Sequence, residues 1–139
     1  MTIGAIRSSC GRNGLTTNGA DPDTYAMDDD PTVTNPDLYK VMFENDRVRV
    51  LEYRDVPGDR TTSHSHPDSV MVTLSDFDRK LVMGEQERDV SLTSGEARWL
   101  PAQTHLGENI GTTPSHSIFI ELKEPGPESS GEAALGPEQ

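Results

Sequence analysis

The chain has 139 residues, of which 24 are acidic and 12 basic, so its formal net charge at pH 7 is −12. No cluster of Lys and Arg suits a nucleic acid or an anionic membrane, and no stretch reaches the roughly 18 apolar residues of a membrane-spanning helix. Only 32% of the residues are hydrophobic and 5% aromatic, which predicts a thin core or unfolded segments.

The charge divides the chain into three parts. Residues 1–37 carry six acids and two bases, residues 124–139 carry four acids and no base, and residues 38–123 carry 14 acids and 10 bases. Each part has a net charge of −4, so two thirds of the charge lies outside the middle part. We therefore predict a flexible acidic arm over residues 1–37, one folded domain over residues 38–123 and a disordered acidic tail over residues 124–139.

The N-terminal arm offers no targeting signal and no obvious thiol chemistry. Its first residues lack the apolar run of about 7–15 residues that a signal peptide needs, so we expect a soluble, cytoplasmic protein. Cys10 is the only cysteine, which excludes an intramolecular disulfide. A reactive thiol needs a shaped electropositive site, so we assign Cys10 no function.

Between the two ends, short β-like runs are broken by turn residues every eight to twelve positions or so, the pattern of an all-β sandwich or barrel. First in chain order, residues 37–43 favour one or two helical turns with Asp37 as the N-cap. About eight strands then form a barrel that is closed well enough to hide its edges. The segments around His64 and His105 supply two strands, and the six clearest are residues 47–54, 70–75, 77–84, 88–92, 96–100 and 117–123.

Alternation predicts which side chains share a face, because residues two apart in a strand point the same way. His64 and His66 therefore project together. On the last strand, the even-numbered side chains of residues 116–122 are mostly aliphatic, whereas the odd-numbered ones include Glu121. The even-numbered face is therefore the predicted interior, and Glu121 is expected to point outward.

Three of the four histidines stand in contexts typical of a metal site. His64 and His66 can reach one ion from the same side of a strand, and His105 comes from a later strand after a proline-containing turn. Three neutral imidazoles leave about three positions of an octahedral ion for other ligands, and the net charge of the site stays positive. Such a site suits a small anionic, bidentate ligand.

The spacing of these histidines resembles the two motifs of the cupin superfamily, G-x5-H-x-H-x3,4-E-x6-G and G-x5-P-x-G-x2-H-x3-N. The segments DLYKVMFENDRVRVLEYR, HSHPDSV and RWLPAQTHLGENIG are also similar to small single-domain cupins of the beta-alanine degradation protein BauB family. The resemblance covers roughly residues 40–123 and implies a double-stranded β-helix. The residues that match are Gly58, His64 and His66 in the first motif and Gly95, Pro101, His105 and Asn109 in the second.

Two departures separate the chain from these motifs. The positions that should hold a glutamate after His66 hold Val70 and Met71. The second motif is one residue short before His105, with Gln103 where a glycine is expected. The three-histidine set that remains resembles the iron centres of cupin thiol dioxygenases and diketone-cleaving dioxygenases.

The resemblance thus implies an iron(II) dioxygenase that acts on a small polar or anionic substrate at His64, His66 and His105. Zinc, nickel or manganese would limit the site to acid–base or hydrolytic chemistry, which makes a lyase or isomerase the first alternative. A non-catalytic ligand-binding barrel that has lost its metal is the second. Related barrels often pair through edge strands and arms, so a homodimer that uses Leu38, Tyr39 and Val41 is also compatible with the sequence.

Further side chains are weak candidates for catalysis, each with a structural alternative. Asp68 is either a replacement ligand or base, or a turn residue. Gln103 either binds substrate or completes a turn. Arg98 can bind a substrate carboxylate if it, rather than Trp99, lines the interior, and His116 is either a hydrogen-bonded core residue or a fourth ligand. Surface exposure is the default for the weakest candidates, which are Arg49, Tyr53 and Arg60.

Overall fold

The computed structural model describes residues 29–124 and 135–138. Most of the predicted arm, including Cys10, and most of the predicted tail lie outside the described residues. Within the described part of the chain, no helix is long and apolar enough to span a bilayer.

One short helix and nine strands make up the described residues. The eight predicted strands are all present, as β2 to β9, with their ends shifted by one or two residues, and β1 is additional. The bounds in chain order are α1 (Pro31–Thr34), β1 (Tyr39–Glu44), β2 (Val48–Asp55), β3 (His64–His66), β4 (Ser69–Thr73), β5 (Phe77–Met83), β6 (Gln86–Leu92), β7 (Ala97–Leu100), β8 (Gln103–Asn109) and β9 (Ser115–Leu122).

The strands form two antiparallel sheets. One has the order β1-β2-β9-β4-β7 and the other the order β3-β8-β5-β6. Leu51, Met71 and Phe119 of the first sheet pack with Phe77 and Leu92 of the second in one buried cluster, so the sheets face each other as in a double-stranded β-helix. Closure is less complete than predicted, because β1, β7, β3 and β6 remain edge strands.

The helix predicted over residues 37–43 is wrong. Strand β1 occupies this segment and pairs with β2, which buries Tyr39. The helix that does form lies earlier, where Asp30 accepts a hydrogen bond from the backbone N–H of Thr32 at 2.8 Å and Pro31 occupies the first turn. Ladder hydrogen bonds to β2 and the burial of an aromatic ring outweigh the weak local preference of residues 37–43 for helix.

The predicted interior face of β9 is also wrong. Phe119 is 7% exposed and Glu121 is 0% exposed, whereas the even-numbered side chains are half-buried. On the outer face, Ile120 lies beside Val50 of β2 and Val70 of β4, so apolar cross-strand pairs cover the outside of this sheet. The odd-numbered side chains of β9 point into the barrel, where Glu121 pairs with the buried Arg49.

Candidate metal centre

The structure brings the three predicted metal ligands together inside the barrel. His64 and His105 are paired residues on β3 and β8, and His66 follows two positions along β3. One ring nitrogen from each histidine lies within 4.8 Å of the other two, and all three side chains are buried. Neighbouring strands with a matched register therefore hold the cluster.

Hydrogen bonds fix the orientation of two of the rings. The Nδ1 atom of His64 lies 2.7 Å from the carbonyl oxygen of Thr62, and that of His105 lies 2.8 Å from Oε1 of Gln103. Both oxygens only accept, so each Nδ1 carries the proton and donates. In the neutral imidazole the lone pair is then on Nε2, the arrangement that metal-ligating histidines usually have.

His66 lacks such a partner. Both of its ring nitrogens are buried without a hydrogen bond, and its ring stacks on Phe119 with a centroid distance of 5.2 Å. An unsatisfied buried polar group costs about 1–3 kcal/mol, so such groups are rare in folded proteins without a ligand. A divalent metal ion held by the three imidazoles would supply the missing partner, and the donor set fits one.

Burial also keeps the three histidines neutral. Desolvation lowers the pKa of His64, and it lowers the pKa values of His66 and His105 still further below the ordinary range, where the other histidines and Arg79 add to the effect. Neutral imidazole is the form that binds metal. At neutral pH the cluster is therefore ready to bind an ion without first losing protons.

A buried carboxylate lies beside His66. Oε2 of Glu121 is 3.6 Å from Nδ1 of His66, and neither atom has a hydrogen-bond partner. Oε1 of Glu121 accepts a hydrogen bond from Nε of Arg49 at 2.9 Å, and Arg49 also pairs with Asp30 at 2.8 Å. Burial raises the pKa of Glu121 to about 7, against the opposing charge of Arg49. The carboxylate missing from the first motif thus has a counterpart on β9, next to the same histidine.

His64 and His105 line a small pocket with mostly apolar walls. Its volume is about 40 Å³, which is room for a few water molecules, since one water needs about 10–15 Å³ of such space. Arg79 is the one charged side chain among the described residues that line it. Its Nη1 atom pairs with Asp55 at 2.7 Å, and its guanidinium carbon lies 5.0 Å from the centroid of the Tyr53 ring. Gly107 leaves room for this group, since a Cβ there would lie 2.5 Å from Nη2 of Arg79.

Comparison with known structures identifies the fold family. The chain is 30% identical to a cupin domain from Bordetella pertussis Tohama I, over 63% of this chain and 93% of that one, with a TM-score of 0.59. The chain belongs to the cupin superfamily. No sequence profile of a protein family matches it, and no curated protein does.

Two more distant cupin-like structures agree with the fold. A conserved protein with a double-stranded β-helix domain from Klebsiella pneumoniae subsp. pneumoniae MGH 78578 is 20% identical, over 73% of this chain and 84% of that one, with a TM-score of 0.51. The polyketide cyclase RemF from Streptomyces resistomycificus is also 20% identical, over 64% and 66% of the two chains, with a TM-score of 0.50. At this identity the likeness concerns the fold alone.

The weak catalytic candidates lie around this cupin centre in different ways. Gln103 contacts His105 directly, as described above. Asp68 is a turn residue whose carboxylate accepts a hydrogen bond from the backbone N–H of Ala102 at 2.8 Å. Arg98 pairs with Glu96 and does not line the pocket, and neither does Trp99, which is 37% exposed.

The remaining candidates divide between surface and interior. Arg60 is exposed, and His116 lies on the outer face, where its Nε2 atom is 2.7 Å from Oε2 of Glu52. The default of surface exposure is wrong for Arg49 and Tyr53, which are 6% and 3% exposed. Both are buried because a partner carboxylate is buried with each, Glu121 for Arg49 and Asp55 for Tyr53.

Three residues of the centre are not predicted by the sequence pattern. The pattern favours a helix for Tyr39, yet its hydroxyl lies 3.3 Å from Nε2 of His64. It places Glu121 outside the barrel, and it makes no prediction for Arg79. The signal for Glu121 is Phe119, which lies two residues away on the same face of β9 and is of a type that is mostly buried.

Proposed function

We propose that this cupin is a metal-dependent enzyme that acts on a small polar or anionic substrate, in particular an iron(II) dioxygenase like those of the three-histidine type. The main support for the proposal is that both ring nitrogens of His66 are buried without a hydrogen bond. The two neighbouring histidines already use their Nδ1 protons in hydrogen bonds, so their Nε2 atoms are the ones that can bind a metal. The segments quoted above also resemble the beta-alanine degradation protein BauB family. A bound iron(II) ion would supply Lewis-acid and dioxygen chemistry at this position.

The other groups of the pocket favour an anionic substrate. Arg79 keeps guanidinium N–H groups that Asp55 does not use, and these can donate to a carboxylate or an enolate in the pocket. The apolar walls exclude water, which strengthens such a charge-assisted bond. The hydroxyl of Tyr39 lies beside His64 and can donate a hydrogen bond to a substrate bound there, since burial raises its pKa well above the ordinary value and keeps it protonated.

Metal analysis tests the centre. We expect about one iron per chain after anaerobic reconstitution with Fe(II), and an electron paramagnetic resonance signal of the iron–nitrosyl type when nitric oxide is added. His66→Ala should lose most of the metal and the signal, whereas His116→Ala, which changes the histidine on the outer face, should keep both. An undiminished metal content in His66→Ala would refute the assignment of the centre.

A lyase or isomerase is the second candidate, and the position of Tyr39 favours it. A hydroxyl that donates beside a Lewis-acidic centre can support proton transfer without oxygen. Turnover of pentane-2,4-dione and cysteamine, as probes for an enolate and a thiolate-amine, should be compared with and without dioxygen. Oxygen uptake that stops with turnover under anaerobic conditions supports the dioxygenase, and undiminished anaerobic turnover supports the second candidate.

A further inference from the structure

Residues 135–138, here called the C-terminal segment, lie against the open side of the barrel next to the pocket. Leu135 is 6% exposed, and Gly136 and Pro137 are buried. Pro137 lines the same pocket as His64 and His105. The acidic end of the chain is therefore in direct contact with the candidate site through Pro137.

Hydrogen bonds tie this segment to strands of both sheets. The carbonyl oxygen of Leu135 accepts from Nη1 of Arg88 on β6 at 2.6 Å, and the N–H of Glu138 donates to the carbonyl oxygen of Trp99 on β7 at 2.8 Å. β6 and β7 are edge strands of the two opposing sheets. The segment thus spans the gap that the incomplete closure of the barrel leaves between these edges.

The contacts reach the metal centre through one intermediate residue. The N–H of Gly136 donates to Oε1 of Gln103 at 2.8 Å, and the same oxygen accepts from Nδ1 of His105. Gly136 adopts a φ of +85°, and a Cβ at this position would lie 2.7 Å from Cδ1 of Leu81. The backbone conformation therefore favours glycine here, and a side chain at this position would push against Leu81 in the pocket wall.

We propose that the C-terminal segment is a wall of the substrate pocket and determines which ligands fit, restricting the site to small molecules. The segment lies between the edges of β6 and β7, and the pocket that Pro137 lines has a volume of about 40 Å³. A ligand larger than a few heavy atoms would have to displace Pro137. This inference rests on the proposed function only in taking the pocket as the place where substrate binds.

The test uses the full-length chain with a disrupting variant and a matched control. Gly136→Val adds a branched side chain against Leu81 and strains a left-handed backbone. Gly84→Val carries a similar backbone strain, because Gly84 has a φ of +60°, but a Cβ there meets nothing within 4 Å. Only the first substitution should displace the segment from the pocket.

Hydrogen exchange and a fluorescent probe report the result without metal. The amide of Glu138 should be protected in the native protein and in Gly84→Val, and should exchange freely in Gly136→Val. The neutral apolar dye N-phenyl-1-naphthylamine should bind Gly136→Val at least about tenfold more tightly than the native protein. Pro137→Ala, which removes only ring atoms at the pocket wall, should give a smaller gain in dye affinity and covers the case in which Gly136→Val fails to fold.

Three outcomes would overturn the proposal. They are an unprotected Glu138 amide in the native protein, equal dye binding by the native protein and both pocket variants, and no dye binding by any of them. A parallel titration of the native protein with Co(II) separates this proposal from the proposed function. If the native protein fails to bind Co(II) but the dye binds as expected, the metal centre is refuted and the proposed role of the C-terminal segment is still supported.

Discussion

The barrel interior holds two buried polar clusters that differ in how well the protein satisfies them. In the first, the Asp55 cluster, the carboxylate accepts from the hydroxyl of Tyr53 at 2.5 Å, Nη1 of Arg79 at 2.7 Å, Nδ2 of Asn109 at 3.0 Å and the N–H of Ser115 at 3.2 Å. In the second, the histidine cluster of His64, His66, His105 and Glu121, several polar atoms have no partner.

This difference separates a structural role from a ligand-binding one. Every acceptor site of Asp55 is used within the protein, so the cluster contributes to stability as folded. The histidine cluster leaves His66 and one oxygen of Glu121 unsatisfied, which destabilises the metal-free protein. A buried polar cluster that is completed only by a ligand is typical of a binding site. Mutations in the Asp55 cluster should therefore lower the stability of the protein, and mutations in the histidine cluster should weaken metal binding.

The largest effect is expected at the satisfied cluster. Asp55→Ala should lower the free energy of unfolding by about 3–5 kcal/mol, because it leaves the charge of Arg79 buried without its partner. Urea denaturation measures the loss. Affinity for Co(II) should change much less, since Asp55 contacts none of the three histidines. A loss of stability below about 1 kcal/mol would contradict the structural role of this cluster.

The same carboxylate should make stability depend on pH. Burial opposes its ionisation, but hydrogen bonds from Tyr53 and Ser115 and the charge of Arg79 lower the pKa of Asp55 below its ordinary value. Stability from this group is therefore complete above the unfolded pKa of about 3.9 and is lost as the pH falls through the folded value. Asp55→Asn should remove this component, which urea titrations between pH 7 and pH 3 would show. Parallel pH profiles for the two proteins would contradict it.

Sequence alone predicts the framework of the centre better than its surroundings. Alternation and spacing predict that His64, His66 and His105 lie together, and the structure brings them together because they lie on paired strands, where local pattern determines direction. The predicted positions of Glu121 and Arg49 are wrong because Arg49 is buried between two carboxylates, those of Glu121 and Asp30. Such an ion pair joins strands that are distant along the chain, here β2 and β9, so the residue pattern of one strand cannot predict it.

Tyr39 illustrates a different failure. Its segment has mixed helical and strand preferences, and the pairing of β1 with β2 decides the outcome. The C-terminal segment shows the limit of composition, since a stretch rich in proline and glycine still includes residues that pack against the barrel. Composition describes the average of a region and says little about four residues within it.

At the unsatisfied cluster, the next largest effect is expected for Glu121→Gln. If Glu121 orients His66 through Nδ1, loss of the charge should weaken affinity for Co(II) by about 10–100-fold, the usual cost of removing a carboxylate behind a ligating histidine. The visible spectrum of bound Co(II) should shift as well, which a merely structural role would not require. Chelator competition measures the affinity.

A second glutamate–histidine pair provides the control for that prediction. Oε2 of Glu52 lies 2.7 Å from Nε2 of His116 on the outer face of the sheet. This pair is outside the histidine cluster. Glu52→Gln should leave both the affinity and the spectrum of Co(II) unchanged. Equal affinities in Glu121→Gln and Glu52→Gln would show that Glu121 does not position His66.

The smallest effect is expected for Gln103→Leu, which removes the acceptor behind His105. The backbone register of β3 and β8 still holds the ring in place, so affinity for Co(II) should fall by only about tenfold, the lower end of the range for such partners. Gln86→Leu, at the exposed start of β6, is the matched control and should bind Co(II) normally. Gln103 also accepts from Gly136, so exchange at the Glu138 amide should rise in Gln103→Leu alone. A weakened metal site with an unchanged C-terminal segment would mean that Gln103 acts on His105 only, whereas loss of both would place the segment and the metal centre in one hydrogen-bonded unit.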